Sequence, residues 1–118
     1  MVPASTRLDN EQRDALSVLG YFMLSMDRPD RAAVLYRALD LLEPGHAPHL
    51  RGLAVACARA GQPAEALDAL ERLTLVGALD GDFLALRARV LQALGRHGEA
   101  RAAMRASLSV ISARGGQR

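Results

Sequence analysis

Apolar residues recur along this chain at the three- and four-residue spacing of amphipathic helices, and turn residues interrupt them at regular distances. The first predicted helix begins at Asp9 or Asn10 and runs to about Met26. Gln12 follows Asp9 at the spacing of a capping box. Five further helices are expected, from Asp30 to Leu42, from Pro48 to Ala60, from after Pro63 to about Val76, from Asp82 to Leu94 and from Gly98 to about Ile111.

The first predicted helix has one apolar face. Its members share helical spacing and are Leu16, Leu19, Phe22, Met23 and Met26. We expect this face to be buried, because an apolar stripe on a helix normally packs against a neighbouring element.

The breaks between the helices follow a period. The stretch GQPAEAL at residues 61–67 matches GRHGEAR at residues 95–101, and the step from Gly61 to Gly95 defines the repeat period. The same step counted back from Ala66 reaches Ala32, so that Ala32, Ala66 and Ala100 share one register. Small side chains at these positions let two antiparallel helices approach closely, and glycine at 61 and 95 tolerates the positive φ of a helix end.

A helix-turn-helix unit of this length resembles the tetratricopeptide repeat. The matching residues are Leu16, Leu19, Gly20, Ala32, Tyr36 and Pro44 in the first unit, Leu50, Leu53, Ala54, Gly61, Ala66 and Leu70 in the second, and Leu84, Ala88, Gly95, Ala100 and Met104 in the third. The third unit departs from the pattern, because Arg87 replaces a usual leucine and no proline closes the unit.

The resemblance implies an all-α fold of three tetratricopeptide-like helical hairpins, stacked as a short right-handed superhelix over residues 9–112. A flexible N-terminus is expected at residues 1–8 and a flexible tail at residues 113–118. The alternative is an unrelated six-helix bundle with accidental periodicity.

Composition narrows the class of protein further. The chain has 118 residues, enough for one small domain, with 50% apolar residues but only two Tyr, two Phe and no Trp. Its formal charge is +2, so electrostatics give little reason to expect nucleic acid. The lone Cys57 lies in an apolar run and is expected to be buried and reduced. Neither a signal peptide nor a membrane-spanning stretch is recognised, which predicts a cytoplasmic location without membrane insertion.

Stacked hairpins of this kind expose the first helix of each pair on a concave face that binds peptides or partner helices. The residues expected there are Tyr21, Leu24 and Ser25 in the first unit, Arg51, Val55 and Arg59 in the second, and Leu86, Arg89 and Gln92 in the third. They combine apolar contact with arginine donors, which suits an amphipathic or carboxylate-bearing segment. For each residue alone, a merely solvated surface is the alternative.

We expect no polar helix of the kind that usually ends such an array to cover the last hairpin. Its apolar flank is expected to comprise Ala103, Met104, Leu108 and Ile111. Another protein chain or self-association into a homo-oligomer would cover this flank, since exposed apolar patches are rarely left in water. A small patch that is simply tolerated is the alternative.

Residues 8–46 also resemble the YscY family of type III secretion chaperones. The matching features are Gln12-Arg13, Leu19-Gly20-Tyr21, Asp30-Arg31-Ala32 and the run from Leu39 to Pro44, although Tyr21 stands where that family usually has Trp. The resemblance implies a cytoplasmic chaperone that binds a small secreted partner of the YscX type and helps dock it to the cytoplasmic domain of the export gate. A generic adaptor that scaffolds cytoplasmic proteins is the alternative.

Enzyme chemistry is not expected. His46 and His49 have H-x-x-H spacing, but the sequence places them in a Pro-Gly loop without a ligand-spaced Cys, Asp or Glu, so neither metal nor cofactor is predicted. No phosphate-binding loop or nucleophile motif is present. Arginines 87, 89, 96, 101 and 105 form a basic strip in the third unit, but few aromatic residues are available to stack on RNA bases.

Overall fold

The computed structural model describes residues 9–115, which form six α-helices and no strand. The helices are α1 (Asn10–Ser25), α2 (Pro29–Leu42), α3 (Ala47–Arg59), α4 (Pro63–Leu75), α5 (Gly81–Ala93) and α6 (His97–Gly115). Successive helices pair as three hairpins, α1 with α2, α3 with α4 and α5 with α6. The all-α prediction is therefore confirmed, with the hairpins stacked in chain order.

The helix ends lie close to their predicted positions. Asp9 caps α1 through the expected capping box, since Gln12 N donates to Asp9 Oδ1 over 2.7 Å and Asp9 N donates to Gln12 Oε1 over 3.1 Å. The sixth helix is longer than expected, because it continues past Ile111 to Gly115. The flexible segment expected at 1–8, and the last three residues of the expected tail, lie outside the described residues.

The turn inside each hairpin follows the repeat period. Asp27, Gly61 and Gly95 occupy the same register in successive units, and all three have positive φ, at 57°, 75° and 77°. The N–H of the following residue donates in each case to a carbonyl five positions earlier, at 2.8–2.9 Å, which is the Schellman arrangement of a helix end. Asp27 therefore occupies the position that glycine takes in the other two hairpins.

The alanine register forms the interior of the hairpins. Ala32 and Ala66 are fully buried, and Ala100 is 5% exposed. Small side chains at these positions let the two helices of each hairpin pack closely. Cys57 is also buried, as predicted, and burial raises the pKa of its thiol.

The predicted buried face of α1 is wrong in part. Leu16 and Met23 pack against the core, but Leu19, Phe22 and Met26 are exposed, the last two by 55% and 60%. The core-facing side of α1 is formed instead by Leu16, Gly20, Met23 and Leu24. The reason is that, among residues 9–115, α1 is the first helix of the stack and packs mainly against α2 and α3.

Candidate partner-binding surface

The interface between the first and second hairpins, called the first joint, is built around one aromatic ring. Tyr36 of α2 lies between Gly20 of α1 and Gly52 of α3. A Cβ placed on Gly52 would overlap the Tyr36 ring, and one on Gly20 would come within 2.7 Å of Tyr36 Cζ. Glycine is required at both positions because the ring fills the space that any side chain would need.

A carboxylate also ties the first joint together. Glu43, which ends α2, accepts hydrogen bonds from Arg13 of α1 at 2.6–3.0 Å and lies 2.9 Å from Nε2 of His49 on α3. The bonds from Arg13 first, and then from His49, lower the pKa of Glu43 to about 2. His49 itself is buried, so this contact connects three helices at one point.

Three arginine–carboxylate pairs cross the first joint as well. Arg72 of α4 donates two bonds to the buried Asp40 of α2, at 2.6 and 2.8 Å. The other two pairs are Arg37 with Glu65, and Arg59 with Asp27. Arg59 also donates to the carbonyl of Leu24 over 3.1 Å. The first two hairpins are therefore held as one unit by packing and by charge.

The interface between the second and third hairpins, called the second joint, is different. Within residues 9–115 no ion pair crosses it. A groove of about 460 Å³ lies between α3 and α5 instead. Its lining is mainly apolar with three charged residues, and includes Val55, Ala58, Arg59, Asp82, Phe83, Leu86, Arg89 and Val90. We call this the joint groove.

Four of the nine residues expected to bind a partner meet in the joint groove. They are Val55 and Arg59 from α3, and Leu86 and Arg89 from α5. Their side chains converge because they recur at similar heights on the first helices of successive hairpins. The structure thus brings together four of the six residues expected on this surface in the second and third units.

Three of the other expected residues lie at the surface outside the joint groove. Tyr21 is 71% exposed on α1, one hairpin away. Ser25, also exposed on α1, donates from its hydroxyl to the carbonyl of Tyr21 over 3.0 Å. Gln92 lies on α5 and lines a second groove, between α5 and α6. The predicted surface is therefore divided between the joint groove and its surroundings.

The remaining two expected residues, Leu24 and Arg51, are turned toward other parts of the chain. Leu24 packs against the core, and its carbonyl accepts the bond from Arg59. Arg51 donates to the carbonyl of Ala78 over 3.2 Å, and its guanidinium lies 5.9 Å from the centre of the Phe83 ring. The side chains of Leu24 and Arg51 therefore contact other parts of this chain beside the surface.

Phe83 and Val90 were not predicted as part of this surface. Both stand one repeat period after members of α3 that face the first hairpin, since Phe83 corresponds to His49 and Val90 to Ala56. Their common register was a signal in the sequence that would have placed them on the side of α5 facing the second hairpin.

The terminal flank of the third hairpin agrees with expectation except at one position. Met104, Leu108 and Ile111 are exposed, as predicted, but Ala103 is buried against the core of its own hairpin. Ala103 shares the interior side of α6 with Ser107, whose Oγ donates to the carbonyl of Gly81 over 2.7 Å. The second groove, of about 520 Å³, lies beside this flank.

The histidine pair differs from its predicted setting. His46 occupies the N-cap position of α3 without a side-chain hydrogen bond, and His49 lies inside that helix instead of in a loop. A carboxylate, Glu43, is also close, contrary to the spacing argument, but it bonds both Arg13 and His49. Within residues 9–115 no group of three or more His, Cys, Asp or Glu is arranged as a metal site. Over the same range no helix is long and apolar enough to cross a membrane.

Comparison with known protein families agrees with this architecture. Two family models, both described as tetratricopeptide repeat, match residues 23–90 and residues 81–106. None of the curated proteins compared with the chain matches it significantly. Tetratricopeptide domains are typically non-catalytic scaffolds for protein–protein interaction. Because the first match spans more than half of the chain, this protein belongs to the tetratricopeptide-repeat family.

Proposed function

We propose that this protein is a type III secretion chaperone of the YscY kind, and that it binds a small secreted partner of the YscX type in the joint groove. The observation that carries the proposal is the groove itself, which gathers four residues expected to bind a partner. The resemblance of residues 8–46 to the YscY family supplies the class of partner, its docking to the export gate and the cytoplasmic location.

The chemistry of the joint groove suits one face of an amphipathic helix. Val55, Leu86 and Val90 offer apolar contact along its length. Arg59 and Arg89 lie at its margin and can donate to carboxylates, while Asp82 sets a single negative charge beside them. A helix with an apolar stripe flanked by acidic residues would therefore satisfy this surface.

The binding surface can extend beyond the joint groove along the first helices. Tyr21, Val55 and Arg89 share one register, each a repeat period from the next, on α1, α3 and α5. A partner helix that begins in the groove and follows this line reaches the exposed ring of Tyr21. A small partner without a core of its own would become ordered on this surface, so that binding and folding of the partner are coupled.

Co-expression with the products of the small open reading frames beside this gene tests the proposal. We expect one product to co-purify at one-to-one stoichiometry and to be degraded when this protein is absent. Leu86→Glu should abolish co-purification, because it places a charge in the apolar floor of the groove. Leu75→Glu is the matched control, since Leu75 is exposed on α4 and lines neither groove.

The generic adaptor predicts a different result in the same experiment. An adaptor brings together partners that are stable by themselves, so that its removal leaves the level of each partner unchanged. If Leu86→Glu abolishes binding while the cellular level of the partner stays unchanged, the groove serves scaffolding. That result would contradict the chaperone proposal.

A further inference from the structure

The two ends of the array expose complementary halves of the contact that joins hairpins inside the chain. The second groove, from here on called the receiving groove, is lined by Ala88, Arg89, Ala93, Ala100, Arg101 and Met104, among others. Met104 lies two repeat periods after Tyr36. The ring of Tyr36 packs against Gly52 of the following hairpin. Met104 is 38% exposed, whereas Leu70 at the same register in the second hairpin is fully buried.

The opposite end carries the other half. Ala15, Val18 and Phe22 of α1, called the N-terminal stripe, stand in register with His49, Gly52 and Ala56 of α3 and with Phe83, Leu86 and Val90 of α5. His49 and Gly52 contact the preceding hairpin, and Ala56 is fully buried. Phe83, Leu86 and Val90 line the joint groove on the side of α5 next to α3. On α1 no hairpin precedes the N-terminal stripe within residues 9–115, and Val18 is 68% exposed. This register explains why part of the predicted buried face of α1 is exposed.

The two ends also differ in charge. Residues 9–25 carry three acidic residues and one arginine, a net charge of −2. Residues 81–115 carry six arginines and two acidic residues, a net charge of +4. Arg89 and Arg101 line the receiving groove itself. Opposite charges favour bringing these two ends together over joining two like ends.

We propose that the N-terminal stripe of a second copy occupies the receiving groove, so that copies stack head to tail in the way that successive hairpins stack within one chain. Such a contact joins two different surfaces, and each added copy leaves one free surface of each kind. The assembly therefore grows with concentration instead of stopping at a symmetric dimer. Arg89 lines both grooves, but Phe22 and Met104 lie outside the joint groove, so that changes at Phe22 and Met104 test the stacking separately from the proposed binding of a secreted partner.

Sedimentation velocity across a range of concentrations tests the stacking. We expect the mean mass of the wild type to rise with concentration beyond that of a dimer, and to fall when salt is added. Phe22→Glu places a charge in the N-terminal stripe and leaves the receiving groove intact. Met104→Glu places a charge in the receiving groove and leaves the stripe intact. Each variant alone should be monomeric and should keep the circular dichroism of the wild type, because both side chains are exposed. Its melting temperature should equal that of the wild type at concentrations low enough for the wild type to be monomeric.

Mixing the two variants gives the decisive result. The intact stripe of Met104→Glu can enter the intact receiving groove of Phe22→Glu, so the mixture should form a one-to-one dimer that grows no further. Leu75→Glu, altered outside both ends, should assemble like the wild type. A wild type that stays monomeric at its highest soluble concentration, association of either variant alone, or a mixture that remains monomeric would each overturn the proposal.

Discussion

The two joints of this small array are built on the same repeat but in different ways. The first joint places the Tyr36 ring between two glycines and adds three arginine–carboxylate pairs and the contact of Glu43 with His49. The second joint has Leu70 and Leu86 at the register positions of Tyr36 and Gly52, and no ion pair among residues 9–115 crosses it. It leaves the joint groove open between α3 and α5.

The difference between the two joints shows how one short array can combine a stable pair of hairpins with an apolar surface that is open to another chain. The first joint stabilises a platform of two hairpins, since aromatic packing and paired charges hold α1 to α4 in one arrangement. The second joint holds fewer polar links, and its apolar lining remains available for another chain. We therefore expect the first joint to contribute most to stability and propose the second joint as the place where a partner binds.

The largest effect is expected from Gly52→Ala, which introduces a methyl group into the Tyr36 ring at the first joint. Overpacking of this kind should lower the free energy of unfolding by about 1–3 kcal/mol. Leu86→Ala, at the same register in the second joint, should cost less, because Leu86 is only half-buried. Thermal or urea unfolding of the purified variants measures both.

A second substitution, at Tyr36, tests whether Gly52→Ala acts through overlap of the added methyl group with the Tyr36 ring. Tyr36→Leu gives the first joint the side chain that Leu70 supplies in the second. In the double variant the added methyl group should cost less than it does beside tyrosine, which a double-mutant cycle measures as a coupling energy. Additive effects would show that the ring does not limit position 52.

The next effect is expected from Asp40→Ala. The variant removes a buried carboxylate that accepts two hydrogen bonds from Arg72, and should cost about 1 kcal/mol of unfolding free energy after allowance for the partial exposure of Arg72. Glu71→Ala, an exposed neighbour of Arg72, is the control. Equal melting temperatures for the two variants would contradict a stabilising pair.

A pH dependence is expected from Glu43. Its pKa is about 2 in the folded chain and 4.5 without these contacts, so its stabilising contribution is present above pH 4.5 and is lost as the pH falls toward 2. The wild type should be more stable than Glu43→Gln above pH 4.5, and the difference, measured by urea unfolding at several pH values, should shrink through that window. A difference that stays constant with pH would show that the carboxylate charge is irrelevant.

The smallest effect on stability is expected from Arg59→Ala. Its pair with Asp27 lies at the surface, so the unfolding free energy should change by less than about 1 kcal/mol. The same variant should weaken binding of a partner, because Arg59 lines the joint groove. A loss of stability as large as that of Asp40→Ala would contradict the small contribution expected of a surface pair.

The hairpins could be predicted from the sequence because their signals are local. Glycine at 61 and 95 and alanine at 32, 66 and 100 act within one turn or one helix pair, so spacing alone reveals them. The exposed side of α1 could not be predicted in this way. Apolar residues surround most of that helix, including Val18, and periodicity does not select which side meets a neighbour.

The candidate site was predictable only where register determines it. Val55 and Leu86 were placed together because the first helix of each hairpin repeats the same orientation. The contacts of Arg51 could not be predicted, because its guanidinium meets Phe83 and a carbonyl in the loop after α4 only in the folded chain. The contrast between the joints escaped prediction, since partners such as Arg13 and Glu43 are distant in sequence and meet only in the folded chain.

Hydrogen exchange of the amides, compared between the free protein and its one-to-one complex with the partner, tests most directly the claim that the joint groove is the docking surface. We expect slower exchange in the last turns of α3 and throughout α5 when the partner is bound. Protection confined to α2 and α4, with α3 and α5 unchanged, would contradict this claim.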